Sequence, residues 1–138
     1  MNNKRISKWI LISGTLIIWS IKYAIRPYCE CKEPMIFFLG IAPNLIGSFL
    51  LPFGAYWFFT GKDFMLARIF RIQSLNDLRN FCIMGFGILV VNEYLQLIPY
   101  FGRTFDYFDI LFSIIGLTFS YFIFSRIFNR SLYSYYPD

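Results

Sequence analysis

Five polar residues lie in an otherwise apolar stretch of the chain, at spacings that would let them act together. They are Glu93, Gln96, Arg103, Asp106 and Asp109. Carboxylates can accept hydroxyl or amide protons or act as a general base, and a guanidinium can hold a phosphate or carboxylate through its planar fork. The cluster therefore predicts either recognition of a polar ligand or a structural network of salt bridges, because both would use the same residues.

The chemistry open to this cluster is narrowed by the absence of histidine from the 138 residues. That absence excludes Ser-His-Asp and Cys-His triads, the HExxH metal motif and the histidine-dependent lipid-phosphate phosphatase signature. Hydrolysis with a carboxylate as general base stays conceivable, so whether the protein is an enzyme is left open. We expect no cofactor and no metal, since Glu93, Asp106 and Asp109 alone would suit only a hard, oxygen-preferring cation.

The elements that position these residues are predicted from composition. Hydrophobic residues make up 57% of the chain, aromatic residues 22% and charged residues 15%, which is typical of membrane proteins. The apolar residues form blocks of roughly 20, the length of a helix that crosses a hydrocarbon core about 30 Å thick. The sequence predicts an all-α integral membrane bundle of four transmembrane helices, at about 9–25, 35–59, 81–100 and 107–128, in a single domain over 1–138. The first block is interpreted as a retained helix, because no small-residue cleavage site follows it.

The distribution of lysine and arginine predicts the orientation of the bundle. Nine of the thirteen lie before the first predicted helix, between the second and third, or at the end of the fourth. Under the positive-inside rule, both termini are then cytoplasmic and the polar cluster gathers at the outer face. The net charge is +5, but the basic residues are divided among three segments that flank the membrane. This distribution disfavours nucleic-acid binding. The basic and apolar segment 61–80 is interpreted as a helix lying in the headgroup region, with a docking surface for a partner as the alternative.

Small and polar residues also recur on one face of three predicted helices. The three stripes are Asn44, Gly47, Leu51 and Gly54; Cys82, Gly85, Leu89, Glu93 and Gln96; and Asp109, Ser113, Gly116 and Ser120. Small residues let membrane helices approach closely. We therefore expect the stripes to face one another around a polar, outward-opening interior, to which Asn44 and Ser113 contribute.

The cysteines suggest little chemistry. Cys29 and Cys31 flank Glu30 in the first outer loop. A ring between residues two apart would be strained, so free thiols or pairing with another chain are expected. Cys82, in the third predicted helix, is interpreted as a small packing residue.

These motifs resemble the VanZ-like family of bacterial membrane proteins. In that family a glutamate and a glutamine three apart precede an Arg-x-x-Asp-x-x-Asp run and a glycine on the next helix, as do the residues of "NEYLQ" and "RTFDYFDILFSIIG" here. The segment "PNLIGSFLLPFGAYWFF" is similar to the family's other block, Asn-x-x-Gly followed by Pro-x-Gly. Ser113 departs from the family pattern, which usually has asparagine at this position. The resemblance implies a multi-pass protein of the bacterial cytoplasmic membrane that acts in the cell envelope, in a family named for antibiotic resistance.

Two functions of different classes follow as expectations. In the first, the protein binds an envelope lipid or glycan intermediate through the outer polar cluster, with modification of that ligand left open. In the second, it is a non-enzymatic accessory subunit of a larger membrane protein complex, as its small size and many aromatic residues suggest. The expected partners are membrane lipids together with either such a ligand or a membrane protein.

Overall fold

Four long helices, each long and apolar enough to cross a membrane, make up most of the protein. The computed structural model describes residues 3–29, 32–95 and 106–133, with side chains up to residue 128. The candidate spans are Asn3–Ile25, Glu33–Phe59, Leu75–Leu95 and Tyr107–Phe128. No strand occurs in these described ranges. The predicted all-α class with four transmembrane helices is therefore confirmed.

The first span changes its helical form near its end. Helix α1 covers Asn3–Trp19, and a π-helical turn follows over Ser20–Ile25. The wider winding is visible in the Arg26 N–H, which donates to the Ile21 carbonyl at 2.9 Å, five residues back. Single π-helical turns often accompany functional sites, because the extra residue redirects the side chains that follow.

The bonding state of Cys29, which follows this turn, differs from the expectation. Cys29 is disulfide-bonded, so the expectation of a free thiol was wrong. The expectation rested on the strain of a ring between residues two apart. In the structure, residues 26–28 form a turn immediately before Cys29. Cys82 is a free, partly buried cysteine that packs against the core.

The next long helix and the connection after it close one end of the bundle. Helix α2 covers Glu33–Phe59, and Pro34 lies in its first turn, where the missing N–H costs nothing. Gly61 follows with a φ of 79°, a conformation that favours glycine. The short helix α3, Met65–Phe70, comes next, and Ala67 and Ile72 in this connection are buried.

Helix α4 covers Leu75–Leu95, so it begins upstream of the predicted start at residue 81. A reciprocal capping box explains the difference. The Asp77 N–H donates to Ser74 Oγ at 3.1 Å, and Asp77 Oδ2 accepts from the Ser74 N–H at 2.9 Å. Because this first turn is polar, a count of apolar residues does not detect it. The segment predicted as one headgroup helix over 61–80 is therefore divided between α3 and the start of α4.

Loss of this capping box is expected to loosen the start of α4. In Ser74→Ala the Asp77 N–H loses its acceptor, and we expect about 1 kcal/mol of lost stability. Thermal unfolding followed by circular dichroism in mild detergent measures the change. Ser125→Ala is the matched control, because its hydroxyl only donates to the Phe122 carbonyl within an exposed part of a helix. Equal melting temperatures for the two variants would contradict the assignment of a cap.

The remaining long helix, α5, covers Tyr107–Tyr133 and runs parallel to α2. The rings of Phe37 and Phe108 lie 5.0 Å apart at one end of this pair, and those of Tyr56 and Phe128 lie 4.9 Å apart at the other. Helix α1 is antiparallel to α2, since Lys4 Nζ donates to the Thr60 carbonyl at 2.8 Å. The helices therefore alternate in direction along the chain.

The two ends of the bundle differ in chemistry. At the end that holds α3, which we call the aromatic end, Phe53, Phe124 and Phe128 are fully buried. The rings of Phe124 and Phe128 stack 4.3 Å apart. Leu78 of α4 and Ile72 complete this core. The opposite end holds the π-helical turn, the start of α2, the end of α4 and the start of α5, and we call it the polar end.

Between the two ends, α2 and α5 approach closely at a glycine. A Cβ atom built on Gly116 would collide with Ser48 Oγ and with the Leu45 carbonyl oxygen. Ser113 and Ser120, on the same face of α5, are buried. The predicted stripe of α5 therefore lies against α2. The stripe of α2 is only partly involved, because Gly47 has no atom within 4 Å of its ideal Cβ position.

Candidate functional site

A cavity of about 570 Å³ lies at the polar end of the bundle. Its polar lining residues are Lys22, Arg26, Asn44, Asn92, Glu93, Asp106, Asp109 and Ser113. They come from the π-helical turn and the residue after it, α2, α4, and α5 with the residue before it. The volume lies within the range of about 300–1,000 Å³ that is usual for small-molecule sites.

Glu93 is the most buried of the acidic residues in this cavity, with 6% of its surface exposed. Its Oε1 atom accepts a hydrogen bond from the Asp106 N–H at 3.2 Å. A carboxylate removed from water is stable only when it has hydrogen-bond or charge partners. This bond gives Glu93 such a partner and joins the end of α4 to the start of α5.

Asp106 lies on the exposed rim of the cavity and caps α5. Its Oδ1 atom accepts from the Phe108 N–H at 2.9 Å. Its carbonyl accepts from the Asp109 N–H at 3.1 Å. An aspartate suits this position because it satisfies N–H groups that have no partner within the helix. Asp106 therefore orients the first turn of α5, which carries Asp109.

Asp109 connects three elements around the cavity. Its half-buried carboxylate accepts a side-chain hydrogen bond from Asn44 of α2 and interacts electrostatically with Arg26 and Asp106. Ser113, one helical turn further along α5, is 6% exposed and lines the same cavity. The structure therefore places five of the predicted site residues around one cavity: Glu93, Asp106, Asp109, Asn44 and Ser113.

Two of the predicted site residues cannot be placed. Gln96 and Arg103 lie outside the described residues. The cations that the structure places in the cavity are instead Lys22 and Arg26. The salt-bridge network centred on Arg103 therefore stays a prediction.

Three polar residues of the cavity were missed by sequence reasoning: Lys22, Arg26 and Asn92. Lys22 and Arg26 belong to the four basic residues outside the nine that predicted the orientation, and no site role was assigned to them. Their spacing of four residues was the available signal, because residues four apart share a face of a helix. Asn92 precedes Glu93 directly, and no spacing rule distinguishes it.

The arrangement of charges favours binding of a mixed polar group. Lys22 and Arg26 can hold a phosphate or carboxylate, while the carboxylates and amides can accept or donate hydrogen bonds to hydroxyl or amine groups. Among the described residues, no group of three or more His, Cys, Asp or Glu side chains is placed to hold a metal ion. A headgroup that carries both an anion and hydrogen-bonding groups would match the cavity.

The outer surface of the bundle is apolar. Leu16, Ile88 and Phe122, on three different helices, are each more than 60% exposed. Such a surface is compatible with contact with membrane lipid, and four candidate spans are typical of a multi-pass membrane protein. The chain matches no protein-family model, no curated protein and no solved structure.

Proposed function

We propose that this membrane protein binds the polar headgroup of an envelope lipid or lipid-linked glycan intermediate in the cavity at the polar end. The observation that carries the proposal is the lining of that cavity, in which Lys22 and Arg26 lie with three carboxylates and two asparagines. A purely structural network would be expected to fill the space between such groups. Among the residues that the structure describes, a volume of about 570 Å³ lies between these groups.

The location of the protein is part of the proposal. The excess of lysine and arginine at the aromatic end favours a cytoplasmic position for that end, which puts the cavity at the outer face of a bacterial cytoplasmic membrane. The resemblance of the polar motifs to the VanZ-like family supports the same location and a role in the cell envelope. Binding alone is proposed, without turnover of the ligand.

The proposal is tested by purifying the tagged protein from bacterial membranes in mild detergent and measuring the retained lipids by mass spectrometry. Glu93→Gln is the informative variant, because glutamine keeps an acceptor for the Asp106 N–H but removes the charge. We expect selective retention of one amphiphile by the native chain and at least a tenfold loss in Glu93→Gln.

A matched control removes a carboxylate at the other end of the bundle. Asp63 is 88% exposed and pairs with Arg71 at 3.6 Å, and exposed pairs of this kind contribute little stability. Asp63→Asn is therefore expected to retain the amphiphile at the native level. Equal retention by both variants would overturn the proposal. A stoichiometric protein partner without any retained amphiphile would instead favour an accessory subunit.

A further inference from the structure

A second, apolar cavity of about 430 Å³ lies along the side of the bundle. It is lined by residues of α1 and α2 and by Phe81 of α4. The polar cavity described above is lined by later residues of the first span, earlier residues of α2 and later residues of α4. Because α2 runs antiparallel to α1 and α4, all three differences in lining residues place the polar cavity nearer the polar end than the apolar cavity.

The residues that line the two cavities follow one another along the first span. Leu11, Thr15 and Ile18 line the apolar cavity from one face of α1, at spacings of four and three residues. Lys22 of the π-helical turn and Arg26, directly after it, line the polar cavity. The two cavities therefore lie one after the other along a groove between the first span and α4, and α2 forms the base of this groove.

The same order holds on α2. Gly40 and Asn44 line the polar cavity, and Gly47, Leu51 and Phe59 line the apolar one. On α2 the residues that line the apolar cavity run from Gly47 to Phe59, which is about 18 Å at a rise of 1.5 Å per residue. One leaflet of the hydrocarbon core is about 15 Å thick, half of the full core. The apolar cavity is thus long enough to accommodate a chain that passes through a whole leaflet.

The lining of the apolar cavity is suited to contact with a hydrocarbon chain. Thr15 is the only polar side chain among its lining residues, all of which are described, and its hydroxyl donates to the Leu11 carbonyl at 2.8 Å. Gly54 packs against Leu11, whose Cδ1 atom lies 3.4 Å from the ideal Cβ position of Gly54. At Gly47 nothing lies within 4 Å of the ideal Cβ position, so the space above this residue is open.

We infer that the ligand is a single lipid molecule, whose phosphate-bearing headgroup occupies the polar cavity while one of its hydrocarbon chains lies in the apolar cavity beneath it. This inference rests on the proposed function and adds the shape of the ligand and its route. Lys22, four residues after Ile18 of the apolar cavity, and Arg26 supply the positive charges for the headgroup phosphate. Because the apolar cavity is lined almost entirely by apolar residues of membrane-spanning helices, we expect the ligand to enter sideways from the membrane and not from water.

Gly47→Leu tests the inference, because leucine would occupy the open space of the apolar cavity. Gly87→Leu is the matched control, since Gly87 on α4 also has no atom within 4 Å of its ideal Cβ position and lines neither cavity. The probe is lysophosphatidylglycerol, which has one chain, one phosphate and free hydroxyls. Its binding to the detergent-purified full chain is measured by native mass spectrometry, with glycerol phosphate as the headgroup without a chain.

We expect Gly47→Leu to weaken binding of lysophosphatidylglycerol at least tenfold, Gly87→Leu to change it less than twofold, and glycerol phosphate to bind far more weakly than the lipid. Native affinity in Gly47→Leu, at a native melting temperature, would overturn the inference. Loss of binding in Glu93→Gln but not in Gly47→Leu would support the proposed headgroup site and reject the chain site. Loss in Gly47→Leu but not in Glu93→Gln would support the chain site and reject the proposed headgroup site.

Discussion

Replacing Gly116 by alanine is expected to destabilise the bundle by about 2–3 kcal/mol, near the upper end of the usual cost of overpacking. The added methyl group would collide with Ser48 Oγ and with the Leu45 carbonyl oxygen. The hydroxyl could rotate away, but the carbonyl belongs to the backbone of α2 and cannot move without shifting that helix. Because α2 and α5 form the largest helix contact of the bundle, their separation would weaken the whole structure.

Unfolding by titration with sodium dodecyl sulfate, followed by circular dichroism, measures this loss. Gly47→Ala is the matched control, since its methyl group would enter open space within another long helix. There the higher helix propensity of alanine is worth up to about 1 kcal/mol, so that variant should be as stable as the native chain or more stable. Similar destabilisation by both substitutions would contradict the close approach at Gly116.

The second large effect is expected at the aromatic end, where Phe124→Ala should cost about 3 kcal/mol, the lower end of the range for buried phenylalanine. Phe124 is fully buried, with its ring centre 5.3 Å from that of Phe53 and 5.5 Å from that of Tyr56. The alanine variant would lose these contacts and leave a cavity. The lower end applies because packing, and not transfer from water, drives helix association in lipid.

The control for this prediction lies two residues away on the same helix. Phe122 is 61% exposed, so Phe122→Ala removes an equal ring from the lipid-facing side. The same detergent titration should find it within about 0.5 kcal/mol of the native chain, as is usual for substitutions at the surface. If Phe124→Ala unfolds no earlier than Phe122→Ala, the aromatic end is not the structural core of the bundle.

The contacts in these two predictions lie at the aromatic end and between the two ends of the bundle. The rings at the aromatic end and the approach at Gly116 hold the bundle together, while the polar end is joined by hydrogen bonds such as those from Asp106 to Glu93 and from Asn44 to Asp109. A cavity can therefore remain open at the polar end without loss of the fold.

Much of the fold could be predicted from the sequence, because hydropathy is a local property. A block of about 20 apolar residues must satisfy its backbone groups internally in lipid, and a helix does so. Hydropathy did not predict the start of α4 at Leu75, because its first turn is stabilised by Ser74 and Asp77 and not by apolar residues.

By itself, the sequence determined the four helices and the gathering of Glu93, Asp106 and Asp109 at one end, because successive spans must reverse direction. Only the tertiary structure decided that Gly116 is a contact while Gly47 is not, and that Lys22 and Arg26 enter the cavity. The physical reason is that a membrane helix is apolar on the faces that meet lipid and on those that meet protein. Hydropathy therefore cannot distinguish these faces, and the packing of the side chains selects between them.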